Sequence, residues 1–179
     1  MKFFAHFWLL IVFSTLYTSC LSNDNPGLCI DDERQALLQL KHDLIDDSNR
    51  LSSWSRVNMD CCAWDGVVCD NFTGHVQELH LQGPDPELQE APSQMLRGKI
   101  NRSLLLLKQL KYLDLSCNDF EATQIPSFLG SIENLRYLNL SLSPFYGQIP
   151  HQLGNLSKLV VLDLGIGPWL GSFDALVDF

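Results

Sequence analysis

Three stretches of the chain, LKQLKYLDLSCNDF, IENLRYLNLSLSPF and LSKLVVLDLGIGPW, place apolar residues at the same spacing. Aligned on Leu110, Leu135 and Leu159, they superpose Leu113, Leu138 and Leu162, then Leu115, Leu140 and Leu164, then the aromatics Phe120, Phe145 and Trp169. The offsets are 25 and 24 residues throughout. The intervening segments match as well: GKINRSLLLL (Gly98–Leu107), TQIPSFLGSI (Thr123–Ile132) and GQIPHQLGNL (Gly147–Leu156). Val76, Leu79 and Leu81 supply the same three positions one unit earlier, separated by an insertion of about ten residues.

Leu-x-Leu alternates as a strand does, so the two leucines of each unit point inward and their neighbours point out. The second half of each unit turns back through Ile125-Pro126 or Ile149-Pro150 and buries Ile and Leu from the other side. One such unit cannot cover its own apolar face, whereas stacked units share a continuous core. The expected fold is therefore an α/β leucine-rich-repeat solenoid with a parallel sheet on its concave face, strands about 4.8 Å apart.

Upstream of the repeats the periodicity changes. Leu37, Leu40 and Leu44, flanked by Leu38 and Ile45, predict an amphipathic helix from about Asp32 to Ile45. Asp32 followed by Gln35 gives it an N-cap signature, DDSN (Asp46–Asn49) ends it, and Leu51 and Trp54 are read as anchors folding back onto its apolar stripe. WDGVVCD and GHVQELHL, joined by NFTG, read as a hairpin, and Gln82–Gln94 as a surface loop. Residues 1–22 differ again: one Lys, the apolar block FWLLIVF (Phe7–Phe13), then small and polar residues. This reads as a secretory leader cleaved near Ser19–Ser22. Its apolar core is short for a membrane anchor, and no other segment could cross a bilayer.

Removing Lys2 with the leader leaves 11 basic against 21 acidic residues, a net charge of −10. With no Lys/Arg cluster, nucleic acid is not a partner. Secretion makes the five remaining cysteines disulfide candidates: Cys29, Cys61, Cys62 and Cys69 lie within 41 residues, and Cys117 stands apart. Cys61 and Cys62 are adjacent, about 3.8 Å between Cα atoms, too close to bond each other without strain. The Cys-Cys-x6-Cys spacing is not that of a zinc site. Cys117 is either a small buried residue or a thiol that pairs between chains.

No nucleophile, metal or phosphate-binding motif is present, so no catalytic residue, metal or cofactor is assigned and the chain is not read as an enzyme. His75 and His80 are read as cap and strand residues, His151 as surface. Asn71, Asn101, Asn139 and Asn155 head Asn-x-Ser/Thr sequons, expected glycosylation sites in a secreted chain. The outward strand positions form the expected ligand-facing surface. They are Glu78 and His80, then Lys111, Tyr112, Asp114 and Ser116, then Arg136, Tyr137, Asn139 and Ser141, then Val160, Val161 and Asp163. Tyr112 and Tyr137 hold equivalent positions beside Lys111 and Arg136, which is hot-spot chemistry. Against this stands the plainer reading that Tyr here is repeat consensus.

CIDDERQALLQLK, the run LSSW…CCAWDGVVC…TGHV, and repeats of the form LKYLDLSCNDF…IPSFLGSI together resemble the extracellular domains of plant receptor-like proteins and receptor kinases. The resemblance covers the chain from Cys29 onward. It implies an N-terminal cap over residues 29 to about 75 and about four repeats over 76–179, the last incomplete. It also implies Cys29–Cys61 and Cys62–Cys69 bridges. The implied function is extracellular recognition of a protein or peptide ligand, with a co-receptor kinase as a further partner, in defence signalling. The setting would be the apoplast, or the plasma membrane as part of a longer receptor. Two alternatives share these features: a free-standing inhibitor of wall-degrading enzymes, and a truncated product. Family repeats usually carry Asn three residues after the second strand leucine. Only Asn118 fits, since Pro84, Ser143 and Gly167 hold the equivalent positions, and the asparagine ladder is expected to be largely missing.

Overall fold

The computed structural model describes residues 28–85 and 91–165. The expected leader, Trp169 and Gly167 lie outside them. Helix α1 runs over Asp31–Asp43 and buries Ala36, Leu37 and Leu40. It starts one residue earlier than its sequence signature and has no side-chain N-cap. The chain entering the helix is instead fixed covalently, Cys29, two residues upstream, being bridged to Cys61. The helix also ends two residues early, because Leu44–Ile45 (β1) leaves it to pair antiparallel with Arg97–Gly98 (β4). Ile45, expected on the apolar stripe, is exposed in consequence.

Val67–Cys69 (β2) and Val76–His80 (β3) form the expected hairpin, antiparallel with a bulge at Val68/Cys69. Inside the expected surface loop, Ala91–Gln94 folds into one helical turn, α2. Tyr112–Asp114 (β5), Tyr137–Asn139 (β6) and Val161–Asp163 (β7) then add to β3 in parallel, giving the order β2-β3-β5-β6-β7. The register sets Leu79, Leu113, Leu138 and Leu162 side by side, as the sequence offsets require.

Each coil returns through a 3₁₀ turn: Arg102–Leu106, Ser127–Ser131 and His151–Asn155. Pro126 and Pro150 begin the latter two with φ −64° and −61°, the value the proline ring fixes anyway. Between strands and turns lies one core containing Leu79, Leu113, Leu138, Leu104, Leu129 and Leu153, continuous with Leu37, Leu40, Leu51 and Trp54 of the cap. Phe120 and Phe145 stack from coil to coil at 5.5 Å. Gly130 lies so close to the next coil that a Cβ would overlap the Gln152 carbonyl, so the Leu-Gly pair sets how tightly coils stack. Leu162, at the last described strand, is 43% exposed, whereas Leu113 and Leu138 are fully buried.

Polar clamps hold the cap together and lock it to the repeats. Glu33 is buried, and its carboxylate accepts from Val76 N–H at 2.7 Å, at the first repeat strand, and meets His75 Nδ1 at 2.8 Å. Within the cap, Lys41 Nζ donates to the carbonyls of Leu51 and Trp54 at 2.6 and 2.8 Å. The asparagine ladder is less depleted than the sequence suggests, because its function is kept by other residues. Asn118 Nδ2 donates to Leu81, Leu115 and Ser116 carbonyls, and its Oδ1 accepts from Leu96 N–H. One coil on, Ser143 Oγ reaches back to Leu115 O and accepts from Asn118 N–H. One coil earlier, where Pro84 stands, the Arg50 guanidinium enters from the cap and donates to Leu81 and Gln82 carbonyls and to Asn118 Oδ1.

Candidate functional site: the concave strand face

Parallel pairing puts Glu78, Tyr112, Tyr137 and Val161 in one outward row, and His80, Asp114, Asn139 and Asp163 in the next. Strands about 4.8 Å apart bring equivalent side chains into contact. The Tyr112 and Tyr137 rings stack at 4.1 Å and 5° between planes, and His80 stacks on the other face of Tyr112 at 4.4 Å. His80 is oriented by Glu78, Nε2 to Oε2 2.7 Å. Three rings from three coils therefore form a rigid ladder. Sequence equivalence predicts the tyrosine pair; His80 is out of phase by two residues and joins only because the diagonal neighbour lies within ring reach.

The second row is polar, and beyond His80 its members cap the ends of their own strands, Asp114 buried and Asp163 still exposed. Asp114 Oδ1 accepts from Ser116 N–H and Oγ–H at 3.0 and 2.6 Å. Asn139 Oδ1 does the same for Ser141 at 3.0 and 2.7 Å, and Asp163 Oδ1 for Gly165 N–H at 2.9 Å. These local turns end each strand. Asp114, expected on the open face, is only 7% exposed, and Ser116 is also buried. The cause is that the carboxylate folds onto its own backbone under Tyr112 and Asn139. Burial, with the Tyr137 hydroxyl and the Asp114 carboxylate adding to it, pushes the Tyr112 phenol well above its ordinary value, so it stays a neutral donor.

On the flank, no ion pair engages Lys111 or Arg136 among the described residues, and Val160 takes the equivalent place one coil on, 79% exposed. The face thus offers stacked ring edges, two cations and an apolar end at Val160 and Val161.

The cysteine doublet lies at the other pole. Cys29–Cys61 and Cys62–Cys69 are bridged, with Cα atoms 5.2 and 5.4 Å apart. The doublet joins the helix start and the hairpin at one point. Cys29, Cys61 and Cys62 sulfurs lie within 4.8 Å of one another, but all are held in disulfides rather than available to a metal. Cys117 is free and half-buried, its thiol pushed up by burial. Of the sequons, Asn71 and Asn155 are exposed and Asn101 and Asn139 half-buried. His151 borders a groove with Ile125, Pro126, Ile149 and Pro150 on the return side of the coils. No helix among the described residues is long and apolar enough to cross a membrane.

A disulfide-stapled cap feeding a parallel sheet of stacked coils defines a capped leucine-rich-repeat solenoid. Residues 30–70 match the Leucine rich repeat N-terminal domain, and 109–132 and 134–156 match the Leucine Rich Repeat. Receptor-like protein EIX2 of Solanum lycopersicum is 44% identical over 143 residues, 79% of this chain and 14% of its own length. In the BIR3–SERK2 complex from Arabidopsis thaliana, the matching chain has TM-score 0.62 and 36% identity, covering 73% of this chain and 67% of that one. The PEPR1–AtPEP1 structure gives 0.63 and 29%, over 76% of this chain and 18% of that one. The chain belongs to the plant extracellular leucine-rich-repeat receptor-like proteins. It spans about 14% of the length of that tomato relative. The family is a binding rather than a catalytic kind of protein.

Proposed function

We propose that this chain is an extracellular recognition module of plant defence signalling, which takes a protein or peptide ligand, or a co-receptor, on its concave strand face. The observation that carries this reading is the His80–Tyr112–Tyr137 ladder. Rigid stacked rings lose little side-chain freedom on binding, and the neighbouring Lys111 and Arg136, engaged in no ion pair among the described residues, supply donors for a ligand carboxylate. A polypeptide segment with an aromatic or aliphatic anchor and a nearby carboxylate fits this surface. The solved relatives in the BIR3–SERK2 and PEPR1–AtPEP1 complexes support the class of partner.

The test immobilises the folded chain, captures proteins and peptides from plant extracellular fluid, and remeasures each captured species with variants. Tyr112→Ala and Arg136→Glu on the face should each weaken binding at least about tenfold, the scale of one hot-spot residue. His151→Ala, on the return side, should leave it unchanged. Equal binding by the parent and both face variants would refute the assignment.

A further inference from the structure

The four sequons are equivalent as text and unlike as structure. Asn101 stands where the next two coils carry Pro126 and Pro150, 25 and 49 residues on. A proline begins a 3₁₀ turn by fixing φ; Asn101 begins its own by side-chain capping, Oδ1 accepting from Ser103 N–H at 2.9 Å. Its Nδ2 donates both hydrogens to the last turn of α1, to Gln39 O at 2.9 Å and Asp43 Oδ2 at 2.8 Å. That nitrogen is the atom an oligosaccharide transfer would substitute. A sugar there takes one of the two hydrogens and wedges a bulky ring between cap helix and first coil.

Asn139 is committed in a similar way. Oδ1 ends strand β6, and Nδ2 faces Asp114 Oδ2 at 3.4 Å and Tyr137 Oη at 3.3 Å, between two neighbouring strands. The amides of Asn71 and Asn155 make no hydrogen bond among the described residues, and both residues are exposed. Asn71 is in the β2–β3 connection beside Phe72, whose ring is 86% exposed and offers an apolar face for a sugar to cover. Asn155 closes the 3₁₀ turn His151–Asn155 on the outer side of its coil.

We infer that N-linked glycans are carried at Asn71 and Asn155, and that Asn101 and Asn139 are structural amides left bare, so the concave face stays open. This rests on the extracellular reading, because the transfer occurs on the secretory route.

The test is site-by-site glycopeptide mapping of the full chain exported from plant cells, reading the Asn-to-Asp mass mark left by enzymatic release. Marks at Asn71 and Asn155, with Asn101 and Asn139 unmarked, are expected. A marked majority at Asn101 or Asn139, or exported protein bare at Asn71 or Asn155, overturns the assignment. A chain retained in the cell with its leader intact fails the extracellular reading instead, and the assignment falls with it. On deglycosylated protein, Asn71→Gln and Asn155→Gln should leave the melting temperature unchanged, while Asn101→Gln should lower it; before release, Asn101→Gln should carry the same glycan mass as the parent. If Asn101→Gln does not fold, the occupancy map of the parent decides alone.

Discussion

Asn118 is the residue whose removal should cost the stack most for its size. Its side chain is fully buried and bridges three segments: Leu81 in the preceding coil, its own coil at Leu115 and Ser116, and the Leu96 backbone beyond the insertion. Replacing it with Ala does not orphan all of these groups equally. Leu115 O keeps the Ser143 hydroxyl at 3.0 Å, Ser116 O keeps Gly83 N–H at 2.7 Å, and Leu81 O keeps a long contact from Arg50 at 3.4 Å. Leu96 N–H is left with no acceptor, a desolvation penalty of about 1–3 kcal/mol. The loss of two donor hydrogens adds about 0.5–1.5 kcal/mol each. Asn118→Ala should therefore destabilise by roughly 2–6 kcal/mol, a large share of the roughly 5–15 kcal/mol that holds an ordinary domain together.

The assay is urea unfolding followed by circular dichroism, comparing midpoint and slope with the parent. Ser143→Ala gives the internal scale: it leaves only the Asn118 N–H unpaired, so about 1–2 kcal/mol is expected. The two residues share the Leu115 carbonyl, so the double variant should depart from additivity by at least about 0.5 kcal/mol. An Asn118→Ala midpoint within about 0.5 kcal/mol of the parent would refute the ladder argument, because no buried N–H could then have been orphaned.

Removing the short bridge with Cys62→Ser and Cys69→Ser, which opens a separation of 7 residues, should lower unfolding free energy by roughly 2–3 kcal/mol on the chain-entropy estimate; an unchanged denaturation midpoint would count against it. Gly130→Ala should lower the melting temperature measurably, since its Cβ meets the Gln152 carbonyl, whereas Gly154→Ala meets nothing among the described residues and should not. The Asp43 carboxyl is held below its ordinary value by the His42 ring and then the Asn101 amide. A depressed folded pKa gives stability that is present above the unfolded value, about 3.9, and is lost as pH falls through the folded one. Thermal melts should therefore weaken below about pH 4, and Asp43→Asn should flatten that part of the curve; a parallel decline in both proteins would sink the link.

The repeat rows were legible because they depend on local spacing alone: Leu113, Leu138 and Leu162 needed only their offsets to be placed side by side. The tyrosine pair followed from the same arithmetic. What could not be read depends on distance across the fold. Glu33 meets Val76 43 residues away, and Arg50 meets Asn118 across 68. Each looks like an ordinary surface charge in sequence, and neither lies in a repeating position. The helix boundaries slipped for a related reason, since a disulfide and a two-residue ladder with Arg97–Gly98 overrode local end signals. Asp114 was misplaced because strand alternation specifies direction out of the core but not whether a short carboxylate then folds onto its own backbone.

That folding-back bears on the ligand we propose for the concave face. At the C-terminal end of three successive strands, Asp114, Asn139 and Asp163 direct Oδ1 to the backbone two residues on. A ligand competing for those oxygens must first break the turns that end the strands. Tyr112 and Tyr137 in the row before it, with His80 stacked diagonally on Tyr112, are tied by their rings and hydroxyls rather than by a strand-ending turn. The ligand we propose would therefore meet the rings, the flanking cations and the Glu78 carboxylate that orients His80. An all-carboxylate patch facing solvent would repel acidic partners on a chain whose formal net charge is already −9. With Asp114 covered instead, Lys111 and Arg136 stand against the open carboxylates of Glu78 and Asp163, so the ligand we propose would be anchored by its apolar or aromatic side chains more than by net charge.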